Sequence, residues 1–405
     1  MVETRSVLDG NAAAAEAFRL ARVQVIAAYP VTPQSPIAER LARHVADGSL
    51  KAKYMRVESE HSALSCVIGA QLTGVRTGTA TSSVGLALMH EVLGVASGCR
   101  VPIVMAVVNR ALVSPWSLWC DHQDSMAERD SGWLQFYAEN AQEVLDLLLM
   151  AYRIAEDDRV LTPAMVCLDG FFVSHSPQSV AMPDQDTVDS FLPGYHAANL
   201  YLDPDDPMFI NNLVPPGDFT EMRYQQRVGF DNALEVIPQV QQEFCTRFGR
   251  RYEMVEAYRC EDADVVLVTL GSMAGTAKHL VNRLRDQNVP VGVAKITSFR
   301  PFPVQALRKA LGSARVVGVL DRSAGLGAHT APVCLEVVSA VRGDDVKVFG
   351  YVGGLGGRDI TETTLQSIFR ELLDIKGERQ REPAKLWIDA RPEAMGIRPF
   401  GGTVS

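Results

Sequence analysis

Tyr29-Pro30-Val31-Thr32-Pro33-Gln34-Ser35-Pro36 closes a short apolar run, Val23–Tyr29, and opens a helical pattern over Ser35–Ala46. Ser35 reads as the N-cap and Pro36 as the first helical position, where a missing N–H costs little. Pro33 biases Thr32 toward an extended backbone, and Pro30 stiffens the approach. Downstream, Val57-Glu58-Ser59-Glu60-His61 sets two acids where a strand over Tyr54–Val57 gives way to a helix over Ser59–Leu72. Strand-to-helix junctions lie at the carboxyl ends of parallel strands, where α/β proteins bind ligands. Together the two junctions predict a site with an anion- or carbonyl-binding hydroxyl, Thr32, and a partly buried acid, Glu60.

The strand–helix rhythm continues along the chain and predicts an α/β fold built on doubly wound parallel sheets. Helices are expected over Gly10–Arg22, Ser83–Ala96 and Ala141–Glu156, and strands over Arg76–Ala80, Val101–Val108 and Pro163–Leu168. A polar and aromatic loop, Asn109–Gly132, is long for a compact domain, and such loops are usually functional or disordered. From about residue 174 to 235 prolines and acids crowd together, which reads as a connecting arm with part of it packed against a partner. A helix over Val236–Arg259 leads into a second α/β pattern. Its strands are expected over Ala263–Leu270, Pro290–Ile296, Arg315–Asp321 and Lys347–Tyr351, alternating with four helices that end at Leu373. The expected division is 1–235, arm included, then 236–375, then a tail over 376–405.

Composition narrows the function classes. The 405 residues are 47% hydrophobic and 21% charged, as in ordinary globular proteins. A net charge of −9 argues against a nucleic-acid partner, since nothing would replace counterions along a phosphate backbone. No apolar run is long enough to span a membrane, and Met1–Arg5 has no signal-peptide core. The seven cysteines are scattered without a Cys-x-x-Cys pair, so neither an iron–sulfur cluster nor a structural zinc is expected in this chain. Free thiols suit a reducing cytoplasm.

Four further features could carry chemistry. Glu60 at a helix start is either an acid that complements the helix dipole or a proton-managing carboxylate, with Glu58 as the competing candidate. Arg110, at the end of the Val101–Val108 strand, is either a carboxylate clamp or a surface ion pair. Trp116 and Trp119, in Ser114-Pro115-Trp116-Ser117-Leu118-Trp119-Cys120-Asp121-His122-Gln123-Asp124, form a core-covering flap or a substrate lid. His122 is a base or a structural donor. Gly325-Leu326-Gly327-Ala328-His329-Thr330 and Gly354-Leu355-Gly356-Gly357-Arg358-Asp359 both lack the third glycine of the dinucleotide fingerprint. That weighs against a self-contained nucleotide-dependent dehydrogenase.

The motifs at 29–36, 58–61, Asn109-Arg110-Ala111-Leu112, 121–124 and Cys167-Leu168-Asp169-Gly170-Phe171 occur together in this order. With Phe299–Pro303 and Gly353–Asp359 they resemble the alpha subunit of the 2-oxoacid:ferredoxin oxidoreductases, the pyruvate type in particular, over about residues 8–375. The resemblance implies a thiamine diphosphate pyrimidine-binding domain followed by a transketolase-C-terminal-like domain. It implies oxidative decarboxylation of a 2-oxoacid to an acyl-coenzyme A, with electrons passed to iron–sulfur clusters in partner chains. A beta subunit would carry the diphosphate and magnesium site and a cluster. Gamma and ferredoxin-like delta subunits would complete the complex, with ferredoxin or an NAD-reducing subunit beyond. By motif position, Glu60 would hydrogen-bond the pyrimidine of thiamine diphosphate, and Thr32 and Arg110 would hold the keto and carboxylate oxygens of the substrate. The pyruvate-type relatives are expected to carry a small aliphatic residue near Trp116. The two tryptophans therefore keep an aryl 2-oxoacid such as phenylglyoxylate as an alternative substrate to pyruvate. A non-catalytic scaffold subunit is the alternative of another class.

Overall fold

Val104–Asn109 and Val265–Thr269 are buried along their whole length, as strands covered on both faces must be. They lie inside the two main sheets of the computed structural model, which describes residues 4–197, 200–383, 386–388 and 390–391. The strands are β1 (Thr4–Leu8), β2 (Val25–Ala28), β3 (Lys53–Arg56), β4 (Thr77–Thr81), β5 (Val104–Asn109), β6 (Leu134–Ala138) and β7 (Ala164–Asp169). They continue with β8 (Gln178–Met182), β9 (Val255–Tyr258), β10 (Val265–Thr269), β11 (Val291–Ile296), β12 (Ser298–Arg300), β13 (Val316–Asp321) and β14 (Lys347–Val352).

The first main sheet has seven strands in the order β12-β6-β7-β5-β4-β2-β3, parallel except for the edge strand β12. The second has five in the order β14-β13-β10-β11-β9, with only β9 antiparallel. The strand order reverses between β2 and β4 in the first sheet, where β7 is also inserted between β6 and β5, and between β10 and β13 in the second. These are topological switch points, where flanking loops part and leave a crevice beyond the carboxyl ends. Helices Gly10–Leu20 and Ala141–Ala155 cover one face of the first sheet, and helix Glu60–Gln71 lies in the core on its other face. That second core runs on into residues of the other sheet, including Val266 and Val317.

Helices with clear caps start where their capping residues stand. Asp9 accepts from the Ala12 N–H at 2.7 Å, and Asn140 accepts from Glu143 at 3.0 Å. The connecting arm carries regular structure: β8 pairs antiparallel with β1 and a helix spans Gln185–Phe191. Two expectations need correction. The long helix runs Phe219–Phe248 rather than from Val236 to Arg259. It continues through Pro238. At its other end Gly249, at φ 70°, caps and stops it. The expected helix Ser83–Ala96 divides at Met89 into Ser83–Leu88 and His90–Gly98. Of the tail, Trp387 bridges to Val352, while residues 392–405 lie outside the described residues. Among the described residues no helix is long and apolar enough to cross a membrane, and all seven cysteines are free thiols.

Lys295 on β11 joins the two units. Its ammonium is 2% exposed and pairs with Glu143, with Glu139 at 3.1 Å and with Glu256 at 3.0 Å. Burial alone would lower its pKa, but these carboxylates raise it above the ordinary lysine value. Lys278 braces Glu139 and Glu256 at 2.7 and 2.8 Å. Removing the buried cation would leave Glu143 without its counter-charge. Lys295→Met is expected to lower unfolding free energy by about 3–5 kcal/mol in urea titrations, the scale for breaking a buried pair; a loss below about 1 kcal/mol would show the cluster to be dispensable.

Candidate functional site

The loops after β2, β3, β4 and β5 line the crevice at the first switch point. Helix Glu60–Gln71 begins beside it because Ser59 caps it, its hydroxyl accepting from the Ser62 N–H at 3.2 Å. Glu60 is therefore the first helical residue and is 7% exposed. Among the described residues no group donates a hydrogen bond to its carboxylate. Gly85 makes room for it. A Cβ at that position would stand 2.5 Å from Glu60 Oε1 and 2.6 Å from Thr81 Oγ1. The hydroxyls of Thr81 and Ser82 are buried without a hydrogen-bond partner, as is the side-chain nitrogen of Gln34. Buried polar atoms are normally satisfied. A set of unsatisfied ones at a switch point fits a polar heterocycle, with Glu60 free to accept from a ring nitrogen. Glu58 does not compete for this role: it is exposed, accepts from Ser62 Oγ at 2.7 Å, and that bond lowers its pKa.

Arg110 follows β5 directly and reaches across to the β2 turn, where its Nη1 donates to the Thr32 carbonyl oxygen at 2.7 Å. The structure thus brings Thr32 and Arg110 together, with Thr32 contributing its backbone. The residue itself is exposed, not a hydroxyl sunk in a cleft. Arg110 is 6% exposed and its Nε is buried without a partner. Burial lowers its pKa, against the charges of Asp124 and Glu60, which raise it. Asp124 fixes the floor. It accepts from the N–H groups of Ser83 (2.9 Å), Arg110 (3.0 Å) and Ser125 (2.8 Å) and from Asn109 Nδ2 (2.8 Å). Burial pushes its carboxyl up to about 6 despite these donors. Trp116 is 75% exposed on the outer limb of the following loop, apart from this cluster.

His122 serves as a structural donor. Its Nε2 lies 2.6 Å from Asp169 Oδ1, both side chains being 1% exposed. Asp169 Oδ2 accepts from Arg322 Nη1 at 2.8 Å and from the Ser272 backbone and hydroxyl at 3.1 and 2.5 Å. Ser272 follows β10 and Arg322 follows β13, so Asp169 fills the switch point of the second sheet. The glycine-rich turns there are accordingly not arranged as a dinucleotide site.

Residues 16–242 match the family model described as pyruvate flavodoxin/ferredoxin oxidoreductase, thiamine diphosphate-binding, and residues 263–365 match pyruvate:ferredoxin oxidoreductase core domain II. The chain belongs to the pyruvate:ferredoxin oxidoreductase family. It is 46% identical over 388 residues to pyruvate synthase subunit PorA of Methanothermobacter thermautotrophicus, covering 96% of this chain and 99% of that one. It is 44% identical to ketoisovalerate oxidoreductase subunit VorA of Pyrococcus abyssi over 383 residues, 93% of this chain and 96% of that one. Among solved structures, a 2-oxoglutarate:ferredoxin oxidoreductase from Magnetococcus marinus superposes with TM-score 0.71 at 19% identity, covering 92% of this chain and 66% of that one. A split-gene transketolase does so with TM-score 0.54 at 11% identity, covering 92% of this chain and all of the other. At these identities the two structural likenesses speak to fold alone, and they bear out the expected α/β architecture of this family member.

Sequence reasoning singled out Glu60, Thr32 and Arg110, which the fold brings to one crevice. It assigned no role to Asp124, although Asp124 closes the 121–124 motif, and it missed Gly85 and the Asp169 hub. Burial opposes the Asp169 charge, but His122, Arg322 and the Ser272 bonds hold its carboxyl below the ordinary value of 3.8. A depressed native pKa contributes stability above the unfolded pKa and loses it as pH falls toward the native one. Asp169→Asn is thus expected to cost about 3–5 kcal/mol at pH 7 in urea titrations and to flatten the stability loss below about pH 4. An unchanged acid limb would contradict the ion-paired assignment.

Proposed function

We propose that this chain is the alpha subunit of a coenzyme A-acylating 2-oxoacid oxidoreductase, with pyruvate as the favoured substrate, active only when assembled with partner subunits. The observation that carries the reading is the buried Glu60 carboxylate, without a donor, beside a glycine that clears space for it. Thiamine diphosphate, when bound, supplies the electron sink for loss of CO2 from a 2-oxoacid. This chain's part is to accept a hydrogen bond from the cofactor's pyrimidine at Glu60 and to keep that contact away from water. Arg110 offers its buried Nε and the rest of its fork to the substrate carboxylate. The Thr32 carbonyl fixes the guanidinium, which restricts where that carboxylate can sit.

The division of labour that the family resemblance implies agrees with what the sequence lacks. It has no Gly-Asp-Gly followed by an asparagine pair, the segment type that holds a magnesium diphosphate, and no paired cysteines for a cluster. As the family resemblance implies, a beta subunit supplies both, gamma and ferredoxin-like delta subunits complete the assembly, and electrons leave to ferredoxin or an NAD-reducing subunit in the cytoplasm. Similarity to both PorA and VorA sequences keeps a branched 2-oxoacid as the second reading. The aryl alternative finds no support among these relatives.

In the assembled complex, with a 2-oxoacid, coenzyme A and a viologen dye, Glu60→Gln is expected to lower kcat by roughly 10²–10⁴-fold, the range for a proton-handling group. Full activity would remove Glu60 from the mechanism, and a wild-type complex that contains no thiamine diphosphate would leave a scaffold role. Arg110→Met is expected to cost about 2–5 kcal/mol in kcat/KM. An unchanged kcat/KM would show that the carboxylate is held elsewhere.

A further inference from the structure

The tryptophan loop starts at the substrate edge of the first sheet but is held by the second. Gly356 and Gly357 belong to the turn after β14. The Gly357 N–H donates to the Cys120 carbonyl at 2.6 Å, and the Gly356 N–H to Asp121 Oδ2 at 3.3 Å. One residue further, the His122 N–H donates to the carbonyl of Arg322 at 2.8 Å. Gly357 has φ 78°, and a Cβ there would stand 2.3 Å from Trp119 Cβ. Trp119 is thus seated directly on bare backbone of the other unit.

The opposite side of Trp119 reaches the crevice. Its carbonyl accepts from the Ala111 N–H at 3.0 Å, one residue past Arg110. Its ring leans on Phe171 with centroids 6.3 Å apart. Next to Phe171, the Gly170 N–H donates to the Asn109 carbonyl at 3.1 Å, and a Cβ on Gly170 would stand 3.0 Å from the Pro33 ring. Trp119 is therefore tied to the β2 and β5 turns that carry Thr32 and Arg110, and 54% of it remains exposed. Trp116 has no such ties among the described residues.

We propose that Gly357 is a positioning residue for Trp119, and that Trp119, not Trp116, is the wall that limits the size of the acyl group. The inference rests on the 2-oxoacid reading above. An acid whose carboxylate is held at Arg110 has its alkyl group bounded by the loop that begins at Ala111. The second unit, whose own switch point is filled by Asp169, thereby takes part in selectivity through its glycine turn.

The test is steady-state kinetics of the assembled complex with pyruvate and 2-oxoisovalerate. Trp119→Gly is expected to raise the ratio of kcat/KM for the branched acid over pyruvate by about tenfold or more, the scale for a change in pocket volume. Gly357→Ala is expected to lower kcat/KM for pyruvate by at least about tenfold. In the Trp119→Gly background, where the colliding Cβ is gone and only the backbone strain at φ 78° remains, part of that loss should disappear, as a double-mutant cycle reveals. A merely structural glycine would cost the same in both backgrounds, and that result overturns the positioning role. If Gly357→Ala fails to assemble, Trp119→Gly decides alone: a ratio within about twofold of wild type overturns the proposal. A wild-type complex that turns over no 2-oxoacid refutes the functional reading itself, whereas an active complex with an unchanged ratio refutes only this inference.

Discussion

A buried carboxylate must find partners, and Asp169 finds them across the boundary between the two sheets. His122 approaches from its own unit, while Ser272 and Arg322 come from the other. An isolated charge at this depth would cost several kcal/mol, so the pairing fixes how the sheets meet. It also consumes the second sheet's natural ligand crevice. Of the two switch points, the first is left with a buried acid that has no donor among the described residues, and the loops around it are where chemistry can be placed.

Three acids on the first sheet's carboxyl edge show how function separates from structure. Asp169 is neutralised by the Arg322 cation and Asp124 is solvated by backbone N–H groups and an asparagine. Glu60 is almost as buried and has no donor among the described residues. Natural proteins seldom leave such a group unmatched without a use for it. Arg110, with one nitrogen given to the Thr32 carbonyl and another unpartnered, repeats the pattern with the opposite sign. An anion-holding cation and a donor-seeking acid, framed by one crevice, suit a heterocyclic cofactor and a small carboxylic acid.

Much of this was legible in the sequence because it depends on short-range order. The proline-stiffened turn at 29–36 and the capped helix start at Ser59 announce two carboxyl-end junctions by themselves. The continuous apolar run ending at Arg110 announces a third. What escaped depends on distant partners. Gly85 matters because Glu60 and Thr81 face it, and no local pattern says so. β9 and β12 are short edge strands that exist only through pairing with β11 and β6. The helix through Pro238 shows tertiary packing overriding a local breaker, with Val236, Ile237 and Val240 buried around it. Trp116 drew attention by composition, yet it is Trp119 that the second unit grips.

The most direct measurement is a density map of the assembled complex with thiamine diphosphate and a 2-oxoacid bound. The aminopyrimidine ring should lie within hydrogen-bond distance of the Glu60 carboxylate, with the diphosphate tail held by another subunit. A ring placed away from Glu60, or a tail anchored within this chain, would overturn the role given to Glu60.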